Sequence, residues 1–210
     1  MIDSLVLATA NRHKVDEIQA ILDDVGIPIL TLSEFPNFPG VDEDGVTCQE
    51  NAIKKAKATA AFTGHWALAD DTGLEVDALQ GRPGVYAARY AGEQATYEDN
   101  CNKLLQELQD VPSGHRTARF ITVVALCNPE GHTEIVEGIL EGTITQEFQG
   151  TGGFGYDPVF YVSQVGKTLA EMTFAEKNRI SHRAQAVTNA KSLLVKHYHQ
   201  SEKSGRSAAR

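Results

Sequence analysis

Four short stretches hold residue types whose spacing could do chemistry. In Gly150-Thr151-Gly152-Gly153-Phe154-Gly155-Tyr156-Asp157-Pro158, five of nine residues are Gly or Pro. A backbone that bare can approach a ligand closely. It offers amides for phosphate beside flat rings for a base. The literal G-x-G-x-x-G from Gly150 to Gly155 is not a dinucleotide fingerprint: that motif needs a helix immediately afterwards, and here Pro158 and the strand-like Val159-Phe160-Tyr161-Val162 follow. Asp70-Asp71-Thr72-Gly73 comes directly after an apolar run at residues 66–69. Carboxylates at a strand end are where many α/β proteins build a metal site. Consecutive strand residues point to opposite faces, so Asp70 and Asp71 are not expected to act alike. Thr9-Ala10-Asn11-Arg12-His13-Lys14 joins an apolar run to a helical pattern. Free amides at a helix start, with Asn11 as cap and Lys14 in the first turn, form an anion site. Finally, Lys177, His182 and Arg183 concentrate donors near helix starts. Each stretch also has a plain structural reading: a Gly-rich surface turn, an Asx turn closing a strand, or a capped helix with solvated charge.

The elements that must position these residues follow from periodicity. Leu5-Val6-Leu7-Ala8 reads as a buried strand, and Ile18, Ile21, Leu22 and Val25 mark the apolar face of a helix that Gly26 ends. Thr47-Cys48-Gln49-Glu50 is a capping box opening an alanine-rich helix with Ala52, Ala56 and Ala60 on one face and lysines around it. The acidic run Asp42-Glu43-Asp44 precedes it. Residues 66–69 read as a short buried strand, and residues 74–79 alternate as a half-exposed one. Cys101, Leu104, Leu105 and Leu108 form a helical core stripe. Residues 120–127, a turn at Asn128-Pro129-Glu130-Gly131 and residues 133–140 predict a hairpin. Thr173 with Glu176 is a second capping box, and Ser181 is placed to cap the final helix. Gly166-Lys167-Thr168 is no P-loop, because Tyr161 stands where that motif requires Gly.

The chain has 210 residues, 41% hydrophobic and 22% charged, which suits a globular core. The segment at 201–210 is polar and is expected to fray beyond a single domain at 1–200. A net charge of −9 argues against a duplex nucleic-acid partner. It leaves room for a small anion held by local cations and for a divalent metal. Three cysteines with no C-x-x-C support neither a disulfide frame nor a zinc knuckle. No signal-like N-terminus or membrane-spanning run is apparent, so no membrane partner and a cytoplasmic location are expected.

Six motifs then stand together in order: Thr9-x-Asn11-x-x-Lys14, Glu50-Asn51-Ala52-x-x-Lys55-Ala56, Ala69-Asp70-Asp71-Thr72-Gly73-Leu74, Pro83-Gly84-Val85-Tyr86-x-Ala88-Arg89-Tyr90, Phe154-Gly155-Tyr156-Asp157-Pro158 and Lys177-Asn178-x-x-Ser181-His182-Arg183. Any one is weak. Together they resemble the inosine triphosphate pyrophosphatase, or HAM1-like, family over residues 5–194. The resemblance implies an α/β fold with an elongated central mixed sheet flanked by helices, in two lobes with a substrate cleft between them, and a homodimer. It implies Mg²⁺-dependent hydrolysis of ITP, dITP and XTP to the monophosphate and pyrophosphate, clearing deaminated purines from the nucleotide pool.

By motif match, the resemblance makes Thr9, Ala10, Asn11, Arg12, His13 and Lys14 the phosphate cradle, with Lys55 adding charge. Asp71 is implied as general base or metal-bound carboxylate. Thr72 stands where relatives more often carry Ser and keeps the hydroxyl. Phe154 stacks on the base, while Gly155, Tyr156, Asp157, Lys177, His182 and Arg183 line the purine site. Lys177 and Arg183 suit a 6-keto oxygen, where adenine presents an amino group. Relatives usually carry a Glu-rich pair before the Gly that precedes the capping box. Counting back from Gly45 favours Asp42 as the second metal ligand, with Glu43 as runner-up. The competing readings are a pyrophosphatase for other modified nucleotides and a non-catalytic nucleotide-binding module.

Overall fold

The computed structural model describes residues 2–208, with side chains described through residue 198. Its elements, in chain order, are β1 (Leu5–Leu7), α1 (Arg12–Leu22), β2 (Ile29–Thr31), α2 (Cys48–Thr63), β3 (Trp66–Val76), β4 (Pro83–Gly84), α3 (Tyr97–Glu107), β5 (Thr117–Cys127), β6 (Thr133–Ile144), β7 (Phe160–Val162), β8 (Lys167–Thr168), α4 (Phe174–Ile180) and α5 (His182–Ala208). The strands form one sheet in the order β2-β1-β3-β5-β6-β7-β8, with β4 paired to β3. It is mixed: β1 runs parallel to β2 and β3, whereas β3–β4, β6–β7 and β7–β8 are antiparallel. The expected α/β class with a central mixed sheet and flanking helices is what the chain forms.

The chain divides into two compact units. One comprises the N-terminal part through Asp71, Val123–Gly138 and everything from Arg183 onward; the other comprises Thr72–Thr122 and Ile139–His182. The first has its core in Leu5, Leu7, Ile18, Leu22, Leu68, Val124, Leu126, Val187 and Leu194. The second packs Leu74, Val76, Leu104, Leu108, Phe120, Ile144, Phe160 and Leu169. These are the apolar stripes of α1, α3, α5 and the strands, so pattern and packing agree.

Local signals explain most helix ends. Asn11 caps α1 and Thr47 caps α2, whose C-terminal Gly64 takes the left-handed conformation, φ 71°. Thr96 with Asp99 and Thr173 with Glu176 form reciprocal capping boxes on α3 and α4. Among the described residues no helix is long and apolar enough to cross a membrane.

One expectation needs correcting. The runs at 66–69 and 74–79 are not two strands around a turn. β3 passes unbroken through Asp70-Asp71-Thr72-Gly73, so both carboxylates lie mid-strand. A carboxylate is tolerated inside a buried strand only where cations meet it, and here Lys14 and Arg183 meet Asp70 while Lys55 meets Asp71. Within the segment expected to fray, α5 continues to Ala208. No proline interrupts residues 201–208, and extending an existing helix costs far less than starting one. Residues 209 and 210 lie outside the described residues.

Candidate functional site

In the first unit, side chains from five separated segments form a network of opposite charges. Asp70 is buried, 1% exposed, and its Oδ2 meets Lys14 Nζ at 3.0 Å and Arg183 Nε at 3.0 Å. Arg183 Nη1 also donates to Glu17 Oε2 at 2.5 Å. Burial opposes the Asp70 charge, but Lys14, Arg183 and Lys55 outweigh it and hold the carboxyl well below the usual range. Asp70 Oδ1 is buried without a hydrogen-bond partner among the described residues.

Asp71 faces the other way, as strand alternation requires. Its Oδ2 accepts from Asn51 Nδ2 at 3.2 Å, and its Oδ1 lies 3.4 Å from Lys55 Nζ. Lys55 Nζ also reaches Glu43 Oε2 at 2.9 Å and the Asp70 carbonyl at 2.8 Å. The two carboxyls are pushed apart. Burial, aided by the Glu43 charge, raises Asp71 despite Lys55 and Lys14. At Glu43 burial is outweighed by Lys55, by Lys14 and by a hydrogen bond with Asp71, so its carboxyl is lowered. Two carboxylates near one cation divide in this way because they cannot both ionise freely. Cys48 is pushed up to about 12 by burial and by Asp71, which leaves it a thiol rather than a nucleophile.

The start of α1 is less open than a free anion site. The Asn11 side chain already accepts from the amides of His13 and Lys14, at 3.0 and 3.4 Å, and Thr9 Oγ1 accepts from Asn11 N at 3.2 Å. Ala10, Arg12 and His13 are exposed, and Lys14 is half-buried. The cationic side chains, rather than the capped amides, are therefore what this segment offers an anion.

In the second unit, the Gly-rich stretch folds around a carboxylate. Asp157 Oδ2 accepts from Phe154 N at 2.9 Å and from Lys177 Nζ at 2.5 Å. A Cβ at Gly153, where φ is +70°, would fall 2.0 Å from that oxygen, so glycine is required there by both the turn and the close approach. Lys177, 5% exposed, also lies 4.6 Å over the Phe154 ring. The face of this loop opens on a cavity of about 420 Å³ whose lining includes Tyr97, Cys101, Phe148, Phe154 and Gly155. Cys101 Sγ donates to the Gly155 carbonyl at 3.4 Å and Tyr97 lies 5.9 Å from Phe154, so α3 braces the loop. Tyr156 is a brace as well: its hydroxyl is buried and donates to Ala87 O at 2.8 Å. His182 stacks on Phe120 at 4.5 Å, and its Nδ1 lies 2.6 Å from Thr122 Oγ1. Thr122 Oγ1 is in turn 2.7 Å from Thr72 Oγ1.

The expected residues thus gather in two groups: Lys14, Lys55 and Asp71 in the first unit, and Phe154, Gly155, Tyr156, Asp157, Lys177 and His182 in the second. Two residues are placed otherwise than expected. Asp42 and Glu43 are both exposed, and it is Glu43 that brings a carboxylate to Lys55 and Asp71. Its longer side chain reaches Lys55, which counting back from Gly45 could not reveal. Arg183 was expected beside Lys177. Its Nε and Nη1 are instead engaged by Asp70 and Glu17, where a buried guanidinium finds the two charges that offset its desolvation. Sequence reasoning also passed over Glu17, Asn51 and Thr122. Asn51 stands inside one of the six motifs, whereas Thr122 sits in an apolar strand run and gives no signal.

Comparisons with known proteins give this chain a family. A model described as the Ham1 family matches residues 5–193. The dITP/XTP pyrophosphatase of Desulforamulus reducens is 52% identical over 92% of this chain and 96% of its own length. That of Geobacter sulfurreducens is 53% identical over 90% and 96%. Among solved structures, a HAM1 protein from Coxiella burnetii superposes with a TM-score of 0.84 at 42% identity, covering 92% of this chain and 98% of that one.

Proposed function

This chain belongs to the Ham1 family, and on that footing we propose that it hydrolyses the deaminated purine nucleotides ITP, dITP and XTP to the monophosphate and pyrophosphate, removing them from the nucleotide pool. The observation that carries this reading is the unequal carboxylate pair. Asp71, raised and buried, adjoins Glu43, lowered and half-exposed, with the Lys55 ammonium bonded to both. A carboxyl raised toward the working pH is a better proton acceptor than an ordinary aspartate.

The donor set fits a divalent cation. Glu43 and Asp71 already share one cation in Lys55, and the buried Asp70 Oδ1 lacks a hydrogen-bond partner among the described residues. Among the described residues no three His, Cys, Asp or Glu side chains form a metal cage. Two carboxylates suit Mg²⁺, which commonly completes its shell with waters and substrate phosphates. Asp71 and Glu43 would hold it, and when bound it supplies charge neutralisation at the triphosphate.

The chain's own residues do the rest. Lys14 and Lys55 receive phosphate oxygens, with Asn11 fixing the start of α1. Asp71 takes the proton from the water that attacks the α-phosphorus, and pyrophosphate departs with its new charge met by the lysines. Phe154 stacks on the base. Lys177, oriented by Asp157, donates to the 6-keto oxygen. The family resemblance supports a cytoplasmic homodimer as the working form, which light scattering of the purified protein tests.

The deciding experiment is pyrophosphate release from ITP, XTP, dITP, ATP and GTP, each with Mg²⁺ and with EDTA. The first three are expected to turn over far faster, and only with metal. Equal rates on ATP would overturn the substrate assignment. Binding of ITP without turnover would make the chain a nucleotide-binding module.

A further inference from the structure

The loop that carries Glu43 is latched to the start of α2 residue by residue. Lys55 Nζ holds the Glu43 carboxylate at 2.9 Å, and Lys54 Nζ holds that of Asp44 at 2.6 Å. Asn51 Oδ1 accepts from Gly45 N at 2.8 Å, and Glu50 Oε2 accepts from Val46 N at 2.8 Å. Four consecutive loop residues are thus met by four side chains of one helix. Two of these side chains, Lys55 and Asn51, also reach Asp71 on β3. Lys55 Nζ lies 3.4 Å from Oδ1, and Asn51 Nδ2 donates to Oδ2 at 3.2 Å.

The two links differ in charge. A divalent cation held by Glu43 and Asp71 repels the Lys55 ammonium a few ångströms away. The link through Lys55 therefore competes with the cation, whereas the neutral Asn51 amide does not. Its neighbours also fix the orientation of that amide. A backbone N–H only donates, so Oδ1 must face Gly45, and the NH₂ group is left to meet the carboxylate. Asn51 is 1% exposed, so both bonds are made away from competing water. The backbone is shaped to match. A Cβ at Gly45 would lie 2.6 Å from Asn51 Oδ1 and 2.9 Å from Glu50 Cβ, so glycine is what lets the loop come this close. Thr47 caps α2 by accepting from Glu50 N at 3.1 Å, so Asn51 projects from a fixed helix end.

We propose that Asn51 is a positioning residue that sets the spacing between the Glu43 loop and Asp71, and so pre-forms the pair of carboxylates that takes a divalent cation. The proposal rests on the metal role given above to Glu43 and Asp71. Asn51 acts through Gly45 N on one side and through Asp71 Oδ2 on the other. Groups bonded behind metal ligands in this way commonly govern metal affinity by roughly 10–100-fold.

The test is Mn²⁺ binding by the full-length chain without nucleotide, read from loss of the free-ion electron paramagnetic resonance signal. Asn51→Ala removes both bonds and is expected to weaken Mn²⁺ binding about tenfold. Glu50→Ala removes the neighbouring latch on Val46 N and leaves the bonds from Gly45 through Asn51 to Asp71 in place. It is expected to stay within about twofold of wild type. A loop that needs only general anchorage would make the two variants lose alike, and that result overturns the proposal. Unchanged binding by Asn51→Ala overturns it too. Should Asn51→Ala fail to fold, Gly45→Ala makes the test from the other side: its Cβ forces the loop away from Asn51. A loss of about tenfold is expected there, and wild-type affinity overturns the proposal. A wild-type chain that binds no Mn²⁺ overturns the metal role and the clamp together. Mn²⁺ binding that depends on Asn51, in a chain that does not hydrolyse ITP, sustains the clamp and overturns the functional reading alone.

Discussion

The two units bury charge in different ways. In the first, Asp70, Arg183, Glu17 and Lys14 come from three distant segments and are held by mutual attraction, the first three buried and Lys14 half-buried. In the second, the buried ion pair of Lys177 with Asp157 is wrapped by its own loop: Asp157 also accepts from Phe154 N, and Lys177 also lies over the Phe154 ring. The first arrangement is set by Coulomb forces between elements, and the second by local backbone geometry. Removing one charge from the first leaves another uncompensated in low dielectric, which is expensive. Changing the second should chiefly alter what the loop recognises.

The sharpest contrast lies between neighbours within the first unit. Asp71→Asn should cut pyrophosphate release from ITP by ~10²–10⁴, the usual range for a general base. Its folding stability at neutral pH should be unchanged or slightly higher, because a raised carboxyl means that ionisation disfavours the fold. Turnover within twofold of wild type would remove Asp71 from its role. Asp70→Asn should instead lower stability by about 3 kcal/mol, read from denaturant unfolding, since Arg183 and Lys14 lose their shared partner.

The Asp70 contrast extends to pH. A carboxyl held below its unfolded value contributes stability above about pH 4 and loses it as pH falls toward the folded value. Wild type should therefore weaken on acidification from pH 5 downward more steeply than Asp70→Asn, by the order of that same contribution. Parallel stability curves would show that the Asp70 network adds no net charge stabilisation.

In the second unit, Phe154→Ala should raise KM for ITP by about tenfold, the scale of one lost base–aromatic stack, with little change in melting temperature. A large loss of stability with unchanged KM would make Phe154 a packing residue and erase the distinction between units. The smallest effect separates two acidic neighbours. Glu43→Gln should reduce turnover about tenfold at limiting metal, whereas Asp42→Asn should stay within about twofold, because only Glu43 reaches Lys55 and Asp71. The reverse order would restore Asp42 as the ligand.

Much of this was legible in one dimension. Caps at Asn11, Thr47, Thr96 and Thr173 lie where helix ends leave amides unsatisfied, and a side chain one to four residues away suffices to announce them. The apolar stripes of α1 and α3, the opposed faces of Asp70 and Asp71, and the bare backbone around Gly153 follow equally from local rules. The sequence by itself thus determined the element types, the α/β class, the family motifs and the residue types at the site. It did not determine which charge meets which. That Glu43 rather than Asp42 joins Asp71, that Arg183 spends its donors on Asp70 and Glu17, and that Thr122 links Thr72 to His182 were decided by tertiary structure alone. These partners lie between 12 and 166 residues apart. The energy that selects them depends on distance and burial in the folded chain, quantities that spacing along the sequence does not contain.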